Sequence, residues 1–211
     1  DVVSLSTGPA LVVPKQWRAK ASLRVDNIEL GSDRLAFYTS LLPSATWQLS
    51  NTTELSVDAS FVDRDYKQSG DEGRDSFYKS VGVLFGKRYI DSKISVRGGL
   101  TFFDENAEDD RYSRDGTKLS VGVSWKAWEK GLIYANFSQR DTKHDAPEAL
   151  FNVKRDAREQ KFVLGVRHQF KGDYLNKWVV NGKYSNTEND SNVDIFSYER
   201  EVTSVTFSRM F

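Results

Sequence analysis

The feature that most constrains this chain is an alternation of apolar and polar residues with a period of two, repeated along its whole length. Successive side chains of a strand point to opposite faces, so the pattern builds a sheet with one apolar and one polar face. From Thr117 to Trp125, the side chains of Leu119, Val121, Val123 and Trp125 fall on one face and Ser120, Gly122 and Ser124 on the other. Between Lys161 and Phe170, Phe162, Leu164, Val166, His168 and Phe170 oppose Gly165, Arg167 and Gln169. Val81, Val83 and Phe85 oppose Ser80, Gly82 and Gly86; Ile94, Val96, Leu100 and Phe102 oppose Ser95, Arg97 and Thr101; Trp178, Val180 and Tyr184 oppose Asn181, Lys183 and Ser185. Helical spacing fits none of these segments as well. About eleven such segments are expected, starting near Val2, Trp17, Arg34, Glu54, Asp75, Lys93, Gly116, Leu132, Gln160, Lys177 and Tyr198. Several run to about ten residues, longer than the usual soluble strand and near what a tilted membrane strand needs.

Composition narrows what such a sheet can be. The 211 residues suffice for one sizeable domain. Thirty Lys and Arg balance thirty Asp and Glu, which argues against a nucleic-acid binder. A hydrophobic content of 38% and a mean hydropathy of −0.57 would suit a soluble protein. A transmembrane barrel has the same averages, because half of each strand faces a polar interior and the loops are charged. Aromatic residues at 13% argue against disorder. With no cysteine, disulfide scaffolds, thiolate metal sites and Cys nucleophiles are excluded. No apolar run approaches the roughly 20 residues of a spanning helix. If the chain crosses a membrane, it does so as strands closed into a barrel, since lipid cannot satisfy an open sheet edge. The chain starts at Asp1, with neither an initiator Met nor a signal peptide, and the expectation is that upstream sequence is lacking.

The connections alternate in length. Long polar links, KQSGDEGRD, ENAEDDRYSRDG, Lys143 to Arg158 and NTENDSNVDIFS, follow the strands ending near Asp65, Asp104, Thr142 and Tyr184. Short links lie near Asn51–Thr53, Asp91, Glu129 and Gly172. Outer-membrane barrels have this asymmetry, with long external loops and short periplasmic turns. Trp17, Trp47, Trp125, Trp128, Trp178, Tyr89 and Phe211 lie near expected strand ends, where interfacial girdles form. The competing reading is a soluble β-sandwich in which these aromatics are core. The chain ends EVTSVTFSRMF, a final strand with Thr203, Val205, Phe207 and Phe211 on one face and Arg209 interrupting it. Phe207 and Phe211 form a candidate C-terminal assembly signal for the barrel-assembly machinery. With a periplasmic C-terminus, the segment at Val2 runs inward, whereas a complete even-stranded barrel starts inside. Either that segment is not a barrel strand or upstream strands are missing. In these registers Arg18, Lys20, Arg24, Asp58, Arg97, Arg167 and Lys183 are candidate lumen-facing residues.

The last sixty residues or so carry a more specific pattern. Lys154, Arg155 and Asp156 open a strand, Trp178 leads the next, Asn189 to Asn192 form an Asn-Asp-Ser-Asn loop, and Tyr198, Arg200 and a Ser-Arg-x-Phe ending follow. This resembles the C-terminal barrel of the surface lipoprotein assembly modifier (Slam-like) family. The resemblance implies an antiparallel barrel of about fourteen strands, of which ten to twelve would be visible here. It also implies a periplasmic tetratricopeptide domain upstream, and export or surface display of a partner lipoprotein or small secreted protein. No tetratricopeptide repeat stands in this sequence, so 1–211 is expected to be a single barrel domain.

Catalytic and cofactor signatures are not found. His144 is assigned to a polar loop and His168 to an outward position near a strand end, neither with metal-ligand spacing. The acidic run Asp104, Glu105, Glu108, Asp109 and Asp110 could hold a divalent cation, but Arg111, Arg114 and Lys118 make charge balance the simpler account. His144 with Asp141 or Asp145 is the one conceivable enzymatic constellation. The expectation is a non-enzymatic outer-membrane barrel of a Gram-negative bacterium, with no cofactor, metal or nucleic acid. Its partners would be lipid, the assembly machinery and an exported protein. A porin, a polysaccharide-export channel and a structural barrel with a filled lumen are the alternatives.

Overall fold

The computed structural model describes residues 2–14, 16–30, 33–68, 70–89, 91, 93–172 and 177–209. Twelve strands form one antiparallel sheet: β1 (Val2–Thr7), β2 (Ala10–Val13), β3 (Trp17–Leu30), β4 (Asp33–Ser50), β5 (Thr53–Tyr66), β6 (Ser76–Tyr89), β7 (Ile94–Ala107), β8 (Arg114–Trp128), β9 (Gly131–Pro147), β10 (Lys154–Gln169), β11 (Trp178–Ser191) and β12 (Tyr198–Arg209). From β3 onward each strand pairs with the next in chain order, as hairpin connections favour. β1 and β2 lie along the same edge of β3. They are one strand in space, broken at Gly8–Pro9. Pro9 has no N–H to give a ladder, and a Cβ on Gly8 would lie 1.9 Å from the Ala21 carbonyl oxygen. This break accounts for twelve strands where the alternation marks eleven segments. β1–β2 and β12 form the two edges, and no ladder joins them among the described residues.

Two expected links differ clearly from the structure: NTENDSNVDIFS, expected as a link after Tyr184, is ladder of β11 over residues 186–191, and the second lies between β9 and β10. The stretch from Lys143 to Arg158, expected as a long link, is mostly ladder: β9 runs to Pro147 and β10 starts at Lys154. Both faces are polar here, so a hydropathy period cannot detect the strand. Charge pairing takes its place, with Arg158 Nε 2.7 Å from Asp141 Oδ1 across the β9–β10 ladder. The ladder also skips, setting His144, Asp145 and Ala146 opposite Arg155.

The burial pattern inverts that of a soluble protein. Among the described residues the buried apolar side chains are Ala36, Phe103, Val179 and Val193, whereas Asp26, Ser40, Ser76, Glu105, Ser113, His144, Ser185 and Thr187 are buried and polar. The apolar rows stay exposed: Val121 and Trp125 at 48%, Phe102 at 53%, Phe207 at 66%. Among the described residues no second sheet covers them, so the competing β-sandwich reading fails. On β7 the apolar row runs from Ile94 to Phe102 and ends at Asp104. That is about 27 Å along the strand, the scale of a barrel's lipid-facing band. Strands β3–β12 are 12 to 18 residues long, beyond the roughly 9–11 needed to cross a bilayer. The surplus lies at the long-loop end, where outward positions become Asp115, Asp141, Asp156 and Asp190.

The aromatics gather at the opposite, short-turn end. Trp17 starts β3 and pairs with Trp47; Tyr89 ends β6; Trp128 ends β8; Trp178 starts β11. Trp128 Nε1 donates to His168 Nδ1 at 3.0 Å, reaching from β8 to β10. The ring lies across Gly131, where a Cβ would come within 1.9 Å of Trp128 Cε2, so only glycine admits this contact. His168 is thus an interfacial residue of the outer face, as expected. Phe211 lies outside the described residues.

Candidate functional site

The polar face of the sheet is where solute chemistry is concentrated. Side chains there meet across an intervening strand. Arg97 of β7 lies 3.6 Å from Glu54 of β5; Tyr134 of β9 donates to Asn181 Oδ1 of β11 at 3.2 Å; Tyr198 of β12 donates to Glu159 Oε2 of β10 at 2.9 Å. Tyr134 manages its reach by lying over Gly165, where a Cβ would be 2.1 Å from its Cζ. A concavity of about 740 Å³ on this face is bounded by Arg97, Lys118, Ser120, Tyr134, Asn136 and Ser138, among others.

By register, Arg18, Lys20, Arg24, Asp58, Arg97, Arg167 and Lys183 all lie on this polar face, opposite the exposed apolar rows. The structure brings some of them together. Arg18 and Arg97 flank Glu54 at 4.0 and 3.6 Å, and Arg24 reaches Asp26 at 2.8 Å. Arg167 and Lys183 stand apart from that group, on β10 and β11. Phe207 belongs to the opposite, outward row of β12.

Sequence reasoning missed the strongest polar cluster. Glu105 is buried on β7 and bonded by Arg64, by Arg114 Nε at 2.8 Å and by Ser76 Oγ at 3.0 Å. Arg64 in turn stacks over Tyr78 and Tyr38, with its Cζ 4.9 and 5.6 Å from the ring centroids. The acidic run containing Glu105 therefore does not act as one group. Asp104 points outward toward Lys79 at 3.3 Å, and Glu105 points inward. In the loop, Asp109 is clasped by Arg111, whose side-chain and then backbone hydrogen bonds hold its carboxyl at about 2. No group of three or more acidic or histidine side chains fit for a metal ion occurs among the described residues. Alternation of Asp104 and Glu105 along a strand was the available signal.

His144 also departs from expectation. It is a buried residue of β9, paired with Arg114 of β8, because the ladder continues past the apolar belt. Its Nδ1 lies 3.1 Å from the Arg111 carbonyl oxygen, and Arg155 Nη2 lies 2.7 Å from its Nε2. Arginine cannot accept, so Nε2 is the acceptor and the proton sits on Nδ1. Asp141 faces outward to Arg158 and Gln139, so it does not form a dyad with His144. The pattern in the last sixty residues has a local physical role. Asn192 donates through Nδ2 to the Lys154 carbonyl at 2.8 Å and accepts from the Asp156 N–H at 2.9 Å. Asn189 donates to the Phe196 carbonyl at 2.7 Å. These bonds pin the β11–β12 loop to the start of β10. At the other end, Lys171 holds Glu129 in an ion pair that keeps the Glu129 carboxyl below its usual range.

No family model matches the sequence, and no curated protein matches it. Among solved structures, OccAB3 of Acinetobacter baumannii resembles this chain with a TM-score of 0.54 at 12% identity, covering 97% of this chain and 55% of that one. The alcaligin outer membrane receptor FauA of Bordetella pertussis gives 0.47 at 10% identity, over 98% of this chain and 37% of its own. The chain thus spans about half the length of OccAB3. The first likeness shows the fold, an all-β antiparallel sheet of the outer-membrane barrel type. An exposed apolar belt of bilayer height on strands of that fold places the protein in the outer membrane of a Gram-negative cell.

Proposed function

We propose that this sheet is the wall of an outer-membrane barrel whose polar face lines a water-filled passage. The observation that carries this reading is the sorting of the two faces within the apolar belt: apolar side chains predominate outward, and charged, hydroxyl and small side chains predominate inward. A closed β structure in lipid must leave no ladder edge unpaired. In the full-length protein, further strands joining the β1–β2 edge to β12 would meet that condition. Reconstitution of the full-length protein into planar bilayers tests the passage. Stepwise conductance supports it, and a sealed, folded barrel overturns it in favour of a structural role.

The finer reading is export or surface display of a partner protein, such as a lipoprotein. Its support is the resemblance of the last sixty residues to the Slam-like barrels, together with a loop-pinning role for the residues that carry it. Protease shaving of intact cells with and without the protein tests it. Loss of one lipoprotein from the surface, with its cellular amount unchanged, supports export. An unaltered surface inventory overturns export and leaves a passive channel.

A further inference from the structure

Charge is sorted as well as hydropathy, and most strongly on β8–β12. The polar face of these strands carries Arg114, Lys118, Arg140 and Arg155 toward the long-loop end. Lys161, Arg167, Lys183 and Arg200 extend the cationic row over the rest. Glu159 is the single carboxylate on that face of these strands among the described residues. Acids of the same strands, such as Asp115, Asp141, Asp156 and Asp190, lie on the outer face instead. A chain of zero net charge therefore presents a basic interior.

Within this surface lies a hollow of about 230 Å³ bounded by Arg114, Arg140, His144, Arg155, Phe196 and Tyr198, with Glu159 at its side. Its cations are engaged to different degrees. Arg114 is bonded to Glu105. Arg155 bonds His144, lies 3.4 Å from Glu148 and stacks 4.1 Å over Phe196. Glu159, the register partner of Arg140, accepts the Tyr198 hydroxyl. Arg140 has no ion pair among the described residues, and its Nε is buried without a hydrogen-bond partner. Phe103 holds the guanidinium in place, 4.3 Å from its ring centroid. A guanidinium that lines the hollow, is held in place by a ring and has no carboxylate within ion-pair distance among the described residues suits an oxyanion.

We propose that this hollow binds a small oxyanion, a carboxylate or a phosphate, and that the cationic face of β8–β12 makes the passage anion-selective. The inference rests on the passage reading for its second half only; binding in the hollow does not require an open pore. Two measurements on the full-length protein, at low ionic strength where screening is weak, separate the two. The first is calorimetric titration of the detergent-folded protein with inorganic phosphate and with succinate, which distinguishes the two oxyanion classes. Binding that weakens about tenfold in Arg140→Gln is expected, the loss of one charge-assisted hydrogen bond. Arg140→Lys, which keeps the charge, should recover part of it, and the outward-facing Lys143→Gln should change nothing. The second is the reversal potential across a potassium chloride gradient, with anion preference expected in the wild type and reduced in Arg140→Gln/Lys161→Gln. Binding without conductance refutes the passage and keeps the site. Conductance without anion preference, together with no binding or with binding indifferent to Arg140→Gln, overturns this inference and leaves the passage standing.

Discussion

The orientation of the sheet can be tested at one side chain, Val121. It lies on the outward row of β8, 48% exposed, between Leu119 and Val123 and four residues from Trp125. Four residues are about 13 Å along a strand, or about 10 Å once tilt is allowed for, which sets Val121 near the middle of a band about 25 Å tall. If the outer face contacts hydrocarbon, Val121→Arg costs about 2–4 kcal/mol. If it contacts water, an exposed Val→Arg change stays within about 0.5 kcal/mol. The comparison is Ser138→Asp on the polar face, in the same tier as Lys161 and Ser120. That change should stay within about 0.5 kcal/mol in either case. The assay is equilibrium urea unfolding in phospholipid vesicles, followed by tryptophan fluorescence and far-UV circular dichroism. With a slope of about 1–3 kcal/mol per molar, Val121→Arg should lower the midpoint by roughly 1–2 M. Should that variant fail to insert, Val121→Ser is expected to cost about 1–2 kcal/mol from lost apolar burial. Equal midpoints for wild type, Val121→Arg and Ser138→Asp would refute the lipid-facing assignment.

Three further outcomes follow from the polar contacts. Glu105→Gln leaves Arg64 and Arg114 without their shared carboxylate and should cost about 2–3 kcal/mol in the same unfolding assay. Asn192→Ala removes two bonds to the start of β10 and should loosen the β11–β12 loop by about 1 kcal/mol, read as faster amide exchange and proteolysis at 192–197. Asp109, depressed from 3.8 to about 2 by Arg111, should stabilise its loop above pH 3.8 and lose that effect as pH falls toward 2. Carbon-13 NMR should find its carboxyl titrating near 2, and at its ordinary value in Arg111→Ala.

How far the fold was legible depended on where apolar residues lie. Within the belt, alternations such as Leu119-Val121-Val123-Trp125 located strands and faces, because lipid on one side and solute on the other impose the period of two. Beyond the belt both faces are polar, and the period vanishes from hydropathy. That is why the ends of β9 and β10 looked like loop and why His144 was placed outside the sheet. Parity placed Arg97 and Lys183 on the polar face, but it could not join Glu54 to Arg97 or Arg64 to Glu105. Those partners stand two strands apart, and their meeting depends on the register across the strand between them, which no local pattern encodes. The hollow beside Arg140 was invisible for the same reason. It draws on β8, β9, β10, β11, β12 and the turn before β12.

The distribution of ion pairs separates two roles for interior charge. On β3–β7 the acids and bases largely answer one another: Asp26 with Arg24, Glu54 with Arg18 and Arg97, Glu105 with Arg64 and Arg114. With almost no apolar core beneath the sheet, contacts of this kind are what can hold its polar face together, since a buried carboxylate without its partner is costly. On β8–β12, by contrast, Arg114 turns to Glu105 of β7 and Arg155 to Glu148, while Lys118, Arg140, Lys161, Arg167, Lys183 and Arg200 have one inward carboxylate, Glu159, on their own strands. Uncompensated like charge opposes folding through mutual repulsion. Neutralising Lys161 or Lys183 should therefore leave stability unchanged or raise it slightly, while neutralising Glu54 should lower it. A chain that keeps such a face gains nothing in stability from it. The proposed anion passage would account for the cationic row.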